Sequence, residues 1–251
     1  MKLDIDRVRF QFPGRRIDWH ETVGSTMLEA GRLAAAGCES GTVVGAEEQT
    51  AGQGRYGRHW HSEPYAGLYQ SIVLRYSLPA SAMPALTLAL GLAVAEAILK
   101  ATDLVCDLRW PNDLLLSGKK CCGILTQADG STAIAGIGLN VNHASFPAPV
   151  CEVATSLRIV GGRVYSREQL LVHILRSVDA YGALLDEQGA QPIIEMFSRA
   201  SSYVAGRRVT VEQDGVVLEG VTDGLNAAGF LILREDNGKR TVILAGGVRP
   251  A

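Results

Sequence analysis

No C-x-x-C pair occurs in this 251-residue chain, and its five cysteines are odd in number, with Cys121 and Cys122 adjacent. That argues against a disulfide framework and fits a reduced, cytoplasmic protein without a secretory leader. Charge of one sign is also missing: 24 Lys and Arg against 26 Asp and Glu leave −2, so no global basic field draws the chain to nucleic acid. His59, His61, His143 and His173 lack the i,i+4 spacing of a helical metal pair. The longest apolar stretch, Leu86–Leu99, is interrupted by Thr87, Gly91 and Glu96 and reads as a core helix too short to span a bilayer. Residues 1–16 cannot hold a helix-turn-helix, and internal repeats and low-complexity segments are absent.

What is present is the mix of a globular protein, 47% hydrophobic and 20% charged. The chain is organised around Gln49-Thr-Ala-Gly-Gln-Gly-Arg-Tyr-Gly-Arg-His-Trp60, where Gly52, Gly54 and Gly57 alternate with Arg55 and Arg58. Glycine lets backbone approach a ligand, and arginine offers a charged planar fork to carboxylate or phosphate. A mobile loop closing on an anion is expected, with a plain surface loop as the bland reading. The stretch also spells G-x-G-x-x-G. A strand at Thr42–Glu47 precedes it, but a Pro/Gly turn and not a helix follows, against a dinucleotide fingerprint. The Val-Ala-Ile-Lys and His-Arg-Asp segments of a kinase are missing.

Strands are expected at Ile17–His20, Thr42–Glu47, Leu68–Tyr76 and Leu108–Asp113, then a hairpin of Leu114–Leu116 with Cys121–Gln127, then Thr132–Asn142. Thr26 and Glu29 have capping-box spacing for a helix to Ala36, stopped by Gly37. A further helix is expected over Pro79–Asp103, a loop over His143–Arg163, a long helix capped by Ser166 and Gln169, and a short one after Pro192. From about Tyr203, Asp214-Gly215, Asp223-Gly224, Ala228-Gly229, Asn237-Gly238 and Gly246-Gly247 punctuate short strands, as in a small β-barrel. The expected domains are 1–203 and 204–251.

Four stretches share one chemistry. The Gly/Arg loop offers anion donors; Asp113 either stabilises a turn or holds a hard cation. Lys120 is either a solvated hairpin residue or an inward fixed charge, and Gly136–Asn142 offers close backbone and two amides. Cys121 and Cys122 read as packing residues, and Trp60 as core or as a base-stacking ring. Arginines, one carboxylate and one lysine without a nucleophile–base pair suit phosphate-anhydride chemistry driven by positioning and charge neutralisation.

Taken in order, Gln49–Trp60, Arg109-Trp-Pro-Asn-Asp113, Lys120-Cys-Cys-Gly123 and Gly136-Ile-Gly-Leu-Asn140 resemble the biotin–protein ligases (biotin–[acetyl-CoA carboxylase] ligases) over nearly the whole chain. The resemblance implies an α+β fold with a mixed β-sheet and flanking helices, like class II aminoacyl-tRNA synthetase cores, followed by an SH3-like barrel. It implies biotin binding by Ser25, Thr26, Gln49, Gly52, Gln53, Arg55, Tyr69, Lys120, Gly123 and Gly138, with Arg55 and Lys120 catalytic. ATP would be held by Arg55, Arg58, Trp60, Asn112 and Asn140, and Mg²⁺ by Asp113. The implied partner is the biotin carboxyl carrier protein of acetyl-CoA carboxylase; neither DNA nor a membrane is expected, and an exposed sheet edge leaves room for a homodimer. Two departures stand out: Gln53 where many members have arginine, and Arg109 where lysine is common. The rival enzyme is a lipoate ligase or octanoyl transferase of the same fold, in which a cysteine such as Cys121 or Cys122 could act as nucleophile. The rival from another class is a non-enzymatic binding module.

Overall fold

A computed structural model describes residues 2–76, 83–213 and 215–251. The expected helix start at Pro79 and the turn residue Asp214 lie outside them. Strands β1 (Ile17–Val23), β2 (Val43–Gln49), β3 (Leu68–Arg75), β4 (Asp107–Arg109), β5 (Asp113–Leu116), β6 (Lys119–Asp129) and β7 (Thr132–Leu139) form one sheet in the order β1-β2-β3-β7-β6-β5-β4. Only β1 and β2 run parallel, so the sheet is mixed, with β1 at one edge.

Both faces of this sheet are covered. Val43 and Val44 are adjacent and point to opposite sides, as strand geometry requires. Val43, Leu68, Ile72 and Leu74 join the main core with helices α3 (Met83–Thr102) and α5 (Arg167–Gln188). Val44 and Val73 pack on Ala30 of α2 (Thr26–Ala35) on the other side. Helix α3 corrects the sequence expectation: at 20 residues it is long and apolar enough to cross a bilayer, yet most of it is buried inside the fold. Removal of its apolar surface from water drives that placement, at roughly 1.5–3 kcal/mol per fully buried large side chain.

Several local expectations also change. Helix α1 (Ile5–Phe10) forms within the N-terminal segment, capped by Asp4. The hydroxyl of Thr26 does not cap α2: Ser25 is the N-cap residue and makes no side-chain cap bond, while Thr26 Oγ1 turns to Gln49 and Ser71. Ser166 does cap α5, accepting from the Gln169 amide. The stretch 143–163 contains α4 (Leu157–Gly161), capped by Ser156. Helix α6 (Ala190–Ala200) begins two residues before Pro192, in a first turn where the missing N–H costs nothing.

The C-terminal strands β8 (Ala205–Gln213), β9 (Val216–Leu225), β10 (Leu231–Arg234), β11 (Arg240–Ile243) and β12 (Val248–Pro250) form an antiparallel SH3-like unit in the order β11-β10-β9-β8-β12. It abuts the larger sheet directly. Trp110 Nε1 donates to Gly229 O at 3.0 Å, and Arg55 Nη1 donates to Gly246 O at 3.1 Å.

Candidate active site

Lys120 owes its direction to two backbone features. Ser117 and Gly118 both have positive φ, 50° and 78°, and form the two-residue turn that joins β5 to β6. Immediately after it, Leu115 pairs with Lys120 while Leu114 pairs with Cys122, so Cys121 is the extra residue of a bulge. Strand alternation alone would put Lys120 and Gly123, three apart, on opposite faces. The bulge brings them together: a Cβ on Gly123 would stand 2.9 Å from Lys120 Cε.

The Gly/Arg loop forms a short hairpin over this face. Gly54 N donates to Arg58 O at 2.7 Å, and Trp60 N donates to Gly52 O at 2.9 Å. Tyr56 and Gly57 turn its tip at φ 59° and 69°. The hairpin carries Arg55 to the Trp110–Asn112 turn, where its Nη1 donates to Asn112 Oδ1 at 3.1 Å.

Two cavities open below and beside this hairpin. The first is a narrow slot of about 50 Å³ against the sheet, lined by Thr26, Gln49, Gln53, Arg55, Trp60, Asn112, Lys120, Gly123 and Gly138, with Gly136 and Gly54. Its inner end is a polar knot: Gln49 Oε1 accepts from Thr26 N at 2.9 Å and Thr26 Oγ1 at 3.0 Å, and the same hydroxyl lies 2.8 Å from Ser71 Oγ. Trp60 lies across Gly123 and Gly138, and Lys120 Nζ stands 5.4 Å from its ring centroid. The second cavity, about 290 Å³, is lined by Arg55, Arg58, Trp60, Asn112, Asp113, Lys120 and Asn140, and by Gly246 and Gly247 of the C-terminal unit. Three cations against one carboxylate make it a receptor for a polyanion. Asn140 Nδ2 is held by Thr155 O at 3.0 Å, while its buried Oδ1 has no partner among the described residues and is free to accept from a ligand. Gly54, Arg55, Trp60, Asn112 and Lys120 line both cavities.

Most sequence-expected residues therefore meet here, with exceptions. Ser25 is buried beside Thr26 but does not line the slot. Gly52 supports the hairpin from behind, where a Cβ would stand 2.9 Å from Trp60 O. Tyr69 does not line the slot. Register places it opposite Gly138, but its ring is fully buried and its hydroxyl donates to Glu63 O at 3.0 Å, 3.1 Å from His143 Nε2. Trp60, expected near the base, lines both the second cavity and the slot. Asp113 is committed to neighbouring cations. Its carboxylate is taken by Lys120 Nζ at 2.5 Å and Arg109 Nη2 at 2.7 Å. Burial pushes this carboxyl up, and the two cations more than reverse that, leaving it below the usual range. Among the described residues no three His, Cys, Asp or Glu side chains are grouped to hold a metal. A cation-saturated carboxylate is a poor Mg²⁺ ligand, so these residues do not fit a dedicated metal site.

Sequence reasoning missed the apolar wall of the second cavity, Phe146, Val150 and Val153, and the hydroxyls of Ser62 and Ser71. Single apolar residues in a proline-rich loop carry no periodic signal. Cys121 and Cys122 are fully buried; the neighbouring Cys106 thiol and then burial push the Cys121 thiol up, and burial pushes the Cys122 thiol up, away from nucleophilic thiolate.

Residues 14–142 match the model of the Biotin/lipoate A/B protein ligase family, and residues 204–248 match that of the Biotin protein ligase C terminal domain. The chain belongs to the biotin/lipoate A/B protein ligase family. It is 34% identical to a biotin–[acetyl-CoA-carboxylase] ligase of Mycobacterium tuberculosis, over 98% of this chain and 94% of that one. It is 31% identical to a bifunctional ligase/repressor BirA of Bacillus subtilis, over 97% of this chain and 78% of the relative. A solved biotin protein ligase of Aquifex aeolicus, in complex with biotin and ATP, superposes with a TM-score of 0.83 at 29% identity, covering 94% of this chain and 99% of that one. One from Leishmania major, in complex with biotinyl-5-AMP, gives 0.65 at 25% identity, over 92% and 99%. In this member of the family the slot and the cationic cavity meet at the residues just described.

Proposed function

We propose that this chain is an ATP-dependent biotin–protein ligase that forms biotinyl-5′-adenylate and passes the acyl group to a lysine of a biotin carboxyl carrier protein. The observation that carries the reading is the five-residue seam, Gly54, Arg55, Trp60, Asn112 and Lys120, shared by a narrow slot and a cationic cavity. A vitamin in the slot, with its ring at the Thr26–Gln49 knot, directs its carboxylate at the seam. A nucleotide in the cavity brings its α-phosphate to the same place. One carboxylate oxygen bonds the α-phosphorus, the bond to the pyrophosphate oxygen breaks, and pyrophosphate leaves. Lys120 and Arg55 offset the charge spread over the phosphoryl oxygens, and the hairpin shields the mixed anhydride from water. The carrier amine then attacks the acyl carbon, giving an amide and AMP. No protein nucleophile is required, in keeping with the shielded cysteines.

Residue roles follow from this reading. Arg55 and Lys120 act on the reacting atoms. Thr26, Gln49, Gln53, Gly123 and Gly138 shape the vitamin slot, and Arg58, Asn112 and Asn140 hold the nucleotide. Pyrophosphate exchange into ATP tests the reading. Exchange should require biotin, and Lys120→Ala should lower it by roughly 100-fold or more, as for loss of a charge-stabilising donor. Exchange stimulated by lipoate or octanoate in place of biotin would move the chain to the other branch of its family. No stimulation by any acid would leave a binding module.

A further inference from the structure

Lys120 is the end of a longer chain of contacts. Its Nζ stands 2.5 Å from Asp113 Oδ1, and Asp113 Oδ2 accepts from Arg109 Nη2 at 2.7 Å. The side chains of Lys120, Asp113 and Arg109 are only 29%, 17% and 20% exposed, so salt and water screen this triad less than a surface pair. The Arg109 guanidinium in turn lies 5.9 Å from the centroid of Tyr203, and Arg207 lies 3.9 Å from the same ring. Tyr203 is buried in the short segment joining α6 to β8, where the larger domain gives way to the barrel. That segment is stapled along β4. Ser201 Oγ donates to Leu108 O at 2.5 Å, and Ser202 donates through N and Oγ to the Asp107 carboxylate at 2.9 and 2.5 Å.

A lysine has four rotatable bonds, and a single carboxylate partner leaves its ammonium free to pivot. A guanidinium bound to the second oxygen fixes the plane of that carboxylate. A ring within cation–π reach of the guanidinium, 5.9 Å from its centroid, restricts the guanidinium in its turn. We propose that Arg109 and Tyr203 are positioning residues for Lys120, so that the junction with the barrel sets where the catalytic ammonium stands. The barrel thereby takes part in adenylation through a partly buried relay, Tyr203 to Arg109 to Asp113 to Lys120, in addition to bordering the nucleotide cavity. Pre-set placement matters most in the transition state, when charge on the phosphoryl oxygens is greatest. The loss on breaking the relay should therefore fall on kcat and spare KM.

The inference rests on the assignment of Lys120 to biotin activation, so the experiment carries that control. Steady-state pyrophosphate exchange is measured on the full chain and on Lys120→Ala, Arg109→Met, Arg109→Lys, Tyr203→Leu and Tyr203→Phe, with far-UV circular dichroism of each. Arg109→Met and Tyr203→Leu should lower kcat about tenfold with KM for biotin within roughly twofold. Tyr203→Phe, which keeps the ring, should restore kcat, and Arg109→Lys, which keeps the charge, should recover part of it. If Tyr203→Leu does not fold, the Arg109 pair decides. Equal losses within either conservative pair would overturn the inference, as would parent kcat in Arg109→Met and Tyr203→Leu when Lys120→Ala is inactive. Parent activity in Lys120→Ala would instead overturn the activation reading itself, and the relay with it.

Discussion

The indole of Trp60 lies so close to Gly138 that a Cβ on that glycine would stand 2.5 Å from Cε2. The contact makes Trp60 one wall of the slot and β7 the other, and the free space between them is about 50 Å³.

Gly138→Val should therefore impair vitamin binding before it impairs folding. A β-branched residue suits the extended backbone of β7, but its methyl groups would push Trp60 from the wall. KM for biotin is expected to rise about tenfold with a much smaller change in kcat, which initial-rate exchange kinetics would read. An unchanged KM would place the vitamin elsewhere.

Cys121→Ala and Cys122→Ala should leave biotin-dependent exchange within roughly twofold of the parent, because both thiols only fill the core. Each should cost about 1–2 kcal/mol of stability through the small void left behind. Exchange and urea unfolding on the same preparations separate the two effects. Lost activity in a fully folded variant would argue for an acyl-cysteine route.

Glu47 and Arg167 form a fully buried pair at 2.6 Å, and the same carboxylate accepts from Leu3 N at 2.9 Å. Glu47→Gln removes the charge opposite a buried guanidinium and should destabilise the fold by about 3–5 kcal/mol. The midpoint of urea denaturation would fall accordingly, while exchange per folded molecule stays near the parent value. The pair lies on the side of the sheet that faces α5, away from the slot.

His143 is buried against Phe146, with ring centroids 4.9 Å apart, and faces His61 and the Tyr69 hydroxyl. Burial, and secondarily the His61 charge, push its pKa down from 6.5 to about 4. Below pH 6.5 the unfolded chain takes up a proton that the folded chain refuses, so stability falls with falling pH down to about pH 4. The contribution lost across that window is about 3 kcal/mol. Urea denaturation from pH 7 to pH 4 should show this slope, and His143→Gln should flatten it. The same slope in both proteins would assign it to other groups.

The sequence by itself determined most of the element types and the polar residues at the seam of the two cavities. Turn glycines, helix-cap serines, the β-branched runs and the Gly/Arg loop act over a few residues, and local chemistry of that range survives in one dimension. It could not determine which way Lys120 points, because alternation along β6 gives the wrong face and only the bulge at Cys121, set by pairing with β5, corrects it. Nor could it show that Asp113 is spent on Arg109 and Lys120, that Tyr69 turns to Glu63 and His143, or that Trp60 closes the slot. Each of those is a contest for one polar atom or one volume between residues that only strand pairing and barrel docking bring together, and tertiary structure decides it.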